Sequence, residues 1–303
     1  MSSHSAPDGG EDVNSRIRAM RRGSWIPYKV AQDMLVRVQQ LVEQGPADRF
    51  QSFTILAPSN SGKTQLLRNI QYEIGKSYPA ASEVVNGREI HKSLPVVLIQ
   101  SPPEPSEDRL LDVILRQLGV LGSNSERPEH KIARIQATFR NLKVRLLLID
   151  EFGFIQAGSV DKQRKALNGL KYLGNALRIP LVLSSVEDGV NALVAMPEIG
   201  SRYPAWHLPK WQANAEDTRL MLASIESTLG LKHASGLSRK STTARFMAEA
   251  TGTLGYMVEL AHLLAEQAMR SGKERIDIDD LAPDVLKALG WIHPTRRQQR
   301  NPY

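Results

Sequence analysis

The chain has 303 residues, 41% of them hydrophobic, enough to bury the core of one large domain or two modest ones. It contains no cysteine, which excludes disulfides and thiolate metal sites, and its seven histidines are scattered without ligand spacing. No stretch approaches the ~18 consecutive apolar residues of a membrane helix, and the net charge of +7 suits a nucleic-acid partner whose phosphates the cations would neutralise.

Residues 1–14 carry Asp8, Glu11 and Asp12 without an apolar run, and read as a floppy tail rather than a targeting peptide. A basic segment from Arg16 follows, then a helix with apolar spacing at Ala31, Met34, Leu35, Val38 and Leu41. A first strand is expected over Phe53–Leu56, followed by the loop APSNSGKT and a helix over Gln65–Gly75. Pro95–Gln100 reads as a buried parallel strand, and Ser106 as the N-cap of the next helix. A helix over His130–Lys143 precedes the strand Arg145–Asp150, and a long helix over Asp161–Leu177 precedes the strand Pro180–Ser185. Beyond Pro209 the pattern turns helical, over 215–231, 241–251, 252–272 and 277–290, before a basic tail. The alternation predicts an α/β domain with a mainly parallel sheet flanked by helices, followed by a smaller helical domain. The expected boundaries are 1–45 for a tail, basic arm and helix, 46–210 for the α/β domain, 211–290 for the helical domain and 291–303 for the tail.

The loop after the first strand has the residues a phosphate cradle needs: inward backbone N–H groups, a helix N-terminus, one lysine and one hydroxyl. Gly62, Lys63 and Thr64 form its critical end; Ala57, Pro58, Ser59, Asn60, Ser61 and Gln65 complete it. Ala57 stands where the usual pattern has glycine, at the strand exit, where a methyl is the smallest addition. The strand LLLID ends in Asp150, suited to hold Mg²⁺ together with Thr64, and Glu151, suited to polarise a water as general base. The next strand ends in Ser184-Ser185, where a hydroxyl could touch a γ-phosphate or cap the following turn; Ser185 is carried as the site residue, with Ser184 open.

WIPYKVA (25–31), GPADRF (45–50), SNSGKT (59–64), LLLIDEF (146–152) and SRY followed by LPKW (201–211), in this order, resemble the TniB/TnsC family of AAA+ ATPases of transposition. The likeness covers about residues 16–270. It implies an AAA+ P-loop core with a C-terminal helical lid, ATP and Mg²⁺ as cofactors, and slow hydrolysis used as a switch. It also implies that Trp25, Ile26 and Tyr28 lie near the adenine, that a serine at 184 or 185 is a sensor, and that Arg202 is an arginine finger for a neighbouring subunit. Tyr256 falls at or near the family position of a lid arginine, which puts fast hydrolysis in question more than binding. The implied partners are double-stranded DNA, further copies in a ring or filament, a transposase and a TniQ-like target-selection protein. The implied setting is bacterial and cytoplasmic, without a membrane. Arg109, Arg116, Lys131 and Arg134 are the candidate DNA contacts. A helicase loader or DNA-repair ATPase would share the nucleotide site, and so would a nucleotide-gated scaffold without turnover.

Overall fold

The computed structural model describes residues 12–23, 25–45, 52–120 and 126–300. In chain order the helices are α1 (Val13–Arg22), α2 (Lys29–Glu43), α3 (Lys63–Ser77), α4 (Glu107–Gln117), α5 (Pro128–Asn141), α6 (Val160–Leu177), α7 (Asn191–Val194) and α8 (Pro197–Gly200). They continue with α9 (Glu216–Thr228), α10 (Lys240–Ala250), α11 (Leu254–Arg270), α12 (Pro283–Ala288) and α13 (Pro294–Arg300). The strands are β1 (Phe53–Leu56), β2 (Ala81–Val85), β3 (Arg88–Ser93), β4 (Val96–Gln100), β5 (Leu146–Asp150), β6 (Leu181–Ser185) and β7 (Ala205–His207). Two compact units result: Lys29–Pro209, and the described residues up to Tyr28 joined with those from Lys210 onward.

The first unit is built on a five-stranded sheet in the order β4-β5-β6-β1-β7, with every neighbouring pair parallel. All residues of β1, β5 and β6 are buried, as strands covered on both faces must be. The four expected strands begin on time at Phe53 or one residue late at Val96, Leu146 and Leu181, and all four end as expected, at Leu56, Gln100, Asp150 and Ser185. Ser106 caps α4 as expected, its hydroxyl accepting from the Arg109 N–H at 3.3 Å, with Glu107 and Asp108 in the first turn where the helix dipole favours acids. The β2–β3 hairpin was not expected; Asn86 and Gly87, both at positive φ, make its turn, a residue pair that favours tight hairpins.

The second unit is helical. The segment 277–290 divides into a short 3-10 turn, Ile278–Leu281, and α12, because Pro283 cannot continue a helix and Asp277 and Asp280 form a reciprocal cap. The basic stretch from Arg16 is itself the helix α1, where Ile17 and Met20 are buried in the helical core. Arg16 grips Glu274 through two hydrogen bonds of 2.7 Å, and these hold that carboxyl below its ordinary range. The N-terminal region expected over 1–45 as a tail, basic arm and helix is divided, with α1 in the helical unit and α2 in the α/β unit. Residues 12–14 take part in α1 or its cap; the rest of the expected tail, 1–11, and most of GPADRF lie outside the described residues. Among the described residues no helix is long and apolar enough to cross a membrane.

Candidate nucleotide site

In a parallel sheet all strands end on one edge, so the loop after β1, the acids after β5 and the serines of β6 converge there. β6 lies between β1 and β5 and places Ser184 between the loop and the carboxylates. Gly62 adopts φ 85° and ψ 14° immediately before α3, a left-handed conformation that glycine takes without steric cost. Ala57 needs no such freedom. It is not among the positive-φ residues, its N–H donates to the Ser185 carbonyl at 3.3 Å, and it is only 1% exposed. Its methyl group is ordinary core at the strand exit.

Lys63 Nζ donates to the carbonyls of Ala57 and Pro58, both at 2.8 Å, so the ammonium sits inside the curve of its own loop. Burial lowers its pKa, while the negative charges of Asp150 and Glu151 act to restore it. Thr64 Oγ1 donates to Asp150 Oδ2 at 2.6 Å. The other oxygen, Asp150 Oδ1, accepts from the Ser184 hydroxyl and from the Glu151 N–H at 3.0 Å. Asp150 is thus fixed by three donors and offers Oδ2 beside a hydroxyl oxygen, the oxygen pair a hard cation takes. Among the described residues no cluster of three or more His, Asp or Glu could hold a metal alone. A Mg²⁺ here would draw its remaining ligands from phosphates and water, and the residues present fit that arrangement.

Glu151 has φ 55°, a left-handed conformation that costs a non-glycine residue about 1 kcal/mol. Residues held this way cluster at functional sites. Its carboxylate accepts from the side-chain amide of Gln100, which ends β4 directly alongside Asp150 in the register. Gln100 was not anticipated as a site residue, because cross-strand register is not written in any local pattern. Of the two serines, Ser184 is the one that meets Asp150 and the Glu151 N–H (3.2 Å). Ser185, carried as the site residue, turns away: its hydroxyl donates to the Val186 carbonyl at 3.0 Å and lies against Gly153 and Gly189. A Cβ on Gly189 would come within 2.1 Å of that oxygen and 2.5 Å of Gly153 Cα, so the glycine locks Ser185 in place.

Arg202 precedes β7, and its carbonyl accepts from Ser52 N–H just before β1, at the sheet edge opposite the phosphate loop; its guanidinium donates to Asn175 Oδ1 at 2.6 Å. Trp25, Ile26 and Tyr28 belong to the helical unit, where Tyr28 meets Trp211 edge-on at 5.5 Å and Trp25 at 6.2 Å. Burial pushes the Tyr28 hydroxyl up to about 12. Tyr256 packs against the helical core with the Arg297 guanidinium 5.5 Å over its ring. Gly252, four residues earlier, has φ 74° and the Trp211 carbonyl 2.3 Å from where a Cβ would sit, so backbone packing requires it to be glycine.

The candidate DNA contacts separate by burial. Arg109 and Arg116 are exposed on α4 and line a cleft with Gln100 at the end of β4; Arg109 also pairs with Glu104 at 3.2 Å. Arg134 is paired with Glu126. Lys131, expected as a DNA contact, is instead 0% exposed, with Nζ at 2.7 Å from both Asp108 and Asp112, so its charge cannot reach a nucleic acid. Burial alone would lower its pKa, but the hydrogen bonds and charges of the two aspartates outweigh that and hold it above the ordinary lysine value. Replacing Lys131 by Met keeps the stem and removes these bonds, which should destabilise the chain by about 1–3 kcal/mol in urea unfolding while leaving DNA affinity unchanged. Weaker DNA binding by a variant of unchanged stability would contradict this placement.

The five-stranded parallel sheet and the site at its edge define an AAA+ P-loop ATPase fold. The sequence matches the family described as "Bacterial TniB protein" over residues 16–213, well over half of the chain, and the protein belongs to the TniB family. No curated protein matches it. Among solved structures it is similar to the Aeropyrum pernix ORC1 protein in complex with DNA, with TM-score 0.58 and 14% identity over 90% of this chain and 68% of that one. The Aeropyrum pernix ORC2 protein in its ADP form gives TM-score 0.59 and 14% identity over 90% and 72%. Domain III of the Thermotoga maritima replication initiation protein DnaA gives TM-score 0.54 and 14% identity over 89% and 95%.

Proposed function

We propose that the protein is an ATP-switched regulator of transposition, which assembles on double-stranded DNA with ATP bound, recruits a transposase and a TniQ-like target-selection protein, and disassembles on slow hydrolysis. The observation that carries the reading is the constellation Lys63, Thr64, Asp150 and Glu151 on one sheet edge in a chain of the TniB family. Lys63 and the loop amides would hold the β- and γ-phosphates, and Thr64 and Asp150 the Mg²⁺. ATP bound there supplies the phosphoanhydride whose cleavage times the switch. Glu151 is the base for the attacking water. The ORC2 neighbour is described in an ADP form and the ORC1 neighbour in complex with DNA, which supports a nucleotide- and DNA-associated role. Electron microscopy of the protein on duplex DNA tests the assembly: ordered rings or filaments with a non-hydrolysable ATP analogue and none with ADP are expected, and equal assembly in both states would refute the switch.

Arg202 extends the reading to the oligomer. It sits on the edge opposite its own loop, so it serves a nucleotide only in a neighbouring copy. Such a head-to-tail contact gives a ring if the rotation closes and a filament if it does not. Arg202→Ala should keep ATP affinity and lose turnover, by roughly 10³-fold if it acts as an arginine finger. Mixing Arg202→Ala with Glu151→Gln protein should restore part of the activity, since some interfaces then pair an intact Arg202 with an intact Glu151. Absence of rescue at every mixing ratio would contradict action across subunits.

Gln100 gives the switch a restraint. While its amide donates to Glu151 Oε2, that oxygen is occupied by the amide. Arg109 and Arg116 line the same cleft, so a DNA phosphate bound there would sit beside Gln100. Gln100→Ala should raise DNA-independent ATP hydrolysis several-fold with unchanged ATP affinity and reduce stimulation by DNA. A fall in turnover would mean that Gln100 positions Glu151 rather than restrains it.

The likeness to replication proteins keeps a helicase-loading role as the second reading. Binding assays against a replicative helicase and a transposase separate the two.

A further inference from the structure

A second concave site lies far from the nucleotide loop, at the edge of the sheet where β5 and β6 begin. It is a cavity of about 360 Å³, at the small end of ligand-sized pockets. Its floor is apolar, formed by Phe139, Leu177 and Ile179 among others, and its rim carries Arg140, Lys143, Arg145 and Arg178. All four cations are exposed, and no carboxylate lines the cavity among the described residues. Arg145 is held by its guanidinium lying 4.3 Å over the Tyr78 ring.

The backbone sets two of these cations in place at a cost. Lys143 follows the end of α5 with φ 55°, and Arg178 caps α6 with φ 53° and ψ 35°. Helices commonly end on a left-handed residue, and glycine is the usual occupant because a side chain costs about 1 kcal/mol there. The backbone bonds are those of such an ending: Val144 N–H to Phe139 at 2.8 Å, and Arg178 N–H to Gly174 at 3.2 Å. Cations near helix C-termini also complement the dipole, and that would account for a lysine or arginine within either last turn. It does not account for two helices that each put one in the strained position, facing a shared apolar hollow.

From this convergence we infer that the cavity is a docking site for an acidic peptide segment of a partner protein. One apolar side chain enters the hollow over Phe139, Leu177 and Ile179, and flanking carboxylates pair with the rim. An apolar anchor in a concave pocket fixes register, and arginine clusters recognise acidic motifs. A nucleic-acid backbone would gain nothing from the apolar floor. The inference does not depend on the nucleotide site.

The strain itself supplies a clean variant. Lys143→Gly with Arg178→Gly removes two charges at positions glycine prefers, so the fold is kept and unfolding stability should hold or rise. Random twelve-residue peptides displayed on phage are panned on the immobilised full chain, and the most enriched sequence is made with a fluorescent label. Enriched peptides are expected to combine Asp and Glu with a large apolar residue. Fluorescence anisotropy should show at least tenfold weaker binding to the double-glycine chain, and weaker binding to wild type when salt is raised. Enrichment of peptides without acids, or equal affinity for both chains, would overturn the inference. So would a double-glycine chain that retains the peptide but loses duplex DNA, which would assign the rim to nucleic acid. Loss of peptide binding with unchanged ATP affinity separates this site from the nucleotide site.

Discussion

Lys63→Ala is expected to abolish tight ATP binding. The side chain is the loop's one point charge, and in the structure its ammonium makes two 2.8 Å bonds to the loop's own carbonyls, at the centre of the curve where phosphate oxygens would lie. Charge-assisted hydrogen bonds are worth about 1.5–3 kcal/mol each, so the loss should weaken ATP on the order of 100-fold or more. Titration calorimetry checks it directly. DNA assembly that depends on ATP should disappear with it, and residual DNA binding should be equal with and without nucleotide. Unchanged ATP affinity would remove the loop as the nucleotide site.

Glu151→Gln should have the second large effect, with the opposite signature. Shape and the 3.0 Å bond from residue 151 N–H to Asp150 are kept, as are Lys63 and Thr64, so ATP should bind as before. The proposed general base is gone, and turnover should fall by roughly 10²- to 10⁴-fold. Steady-state phosphate release against calorimetric affinity separates the two variants: Lys63→Ala loses both, Glu151→Gln only the first. Turnover within a few-fold of wild type would mean that another group activates water.

The candidate phosphate loop and the acids Asp150 and Glu151 stand out in the sequence because their pattern is local. Gly62, Lys63 and Thr64 must be consecutive to end a loop and open a helix, and Asp150-Glu151 must follow an apolar strand. What stayed hidden depends on neighbours far along the chain. Gln100 matters because strand register sets it beside Asp150. Ser184 rather than Ser185 faces the Asp150 carboxylate, while Gly153 and Gly189 close around Ser185. Lys131 resembles any solvated helix charge until α4 and α5 pack and bring Asp108 and Asp112, one helical turn apart, onto it. Helix α1 was hidden by composition: its buried face is Ile17 and Met20 among arginines, and Arg16 is drawn in by Glu274, 258 residues away. The hairpin, by contrast, carried a signal in Asn86-Gly87 that local reading could have used.

The central claim is that hydrolysis at this site ends the protein's stay on DNA. The most direct measurement is the lifetime of complexes formed with ATP on surface-tethered duplex DNA, wild type against Glu151→Gln, followed by single-molecule fluorescence after free protein is washed away. The glutamine chain should remain bound far longer, and its complexes should still weaken steeply with salt, as phosphate contacts do. Equal lifetimes for the two chains, with hydrolysis lost only in the variant, would contradict the claim and leave ATP as a fixed part of a scaffold rather than its timer.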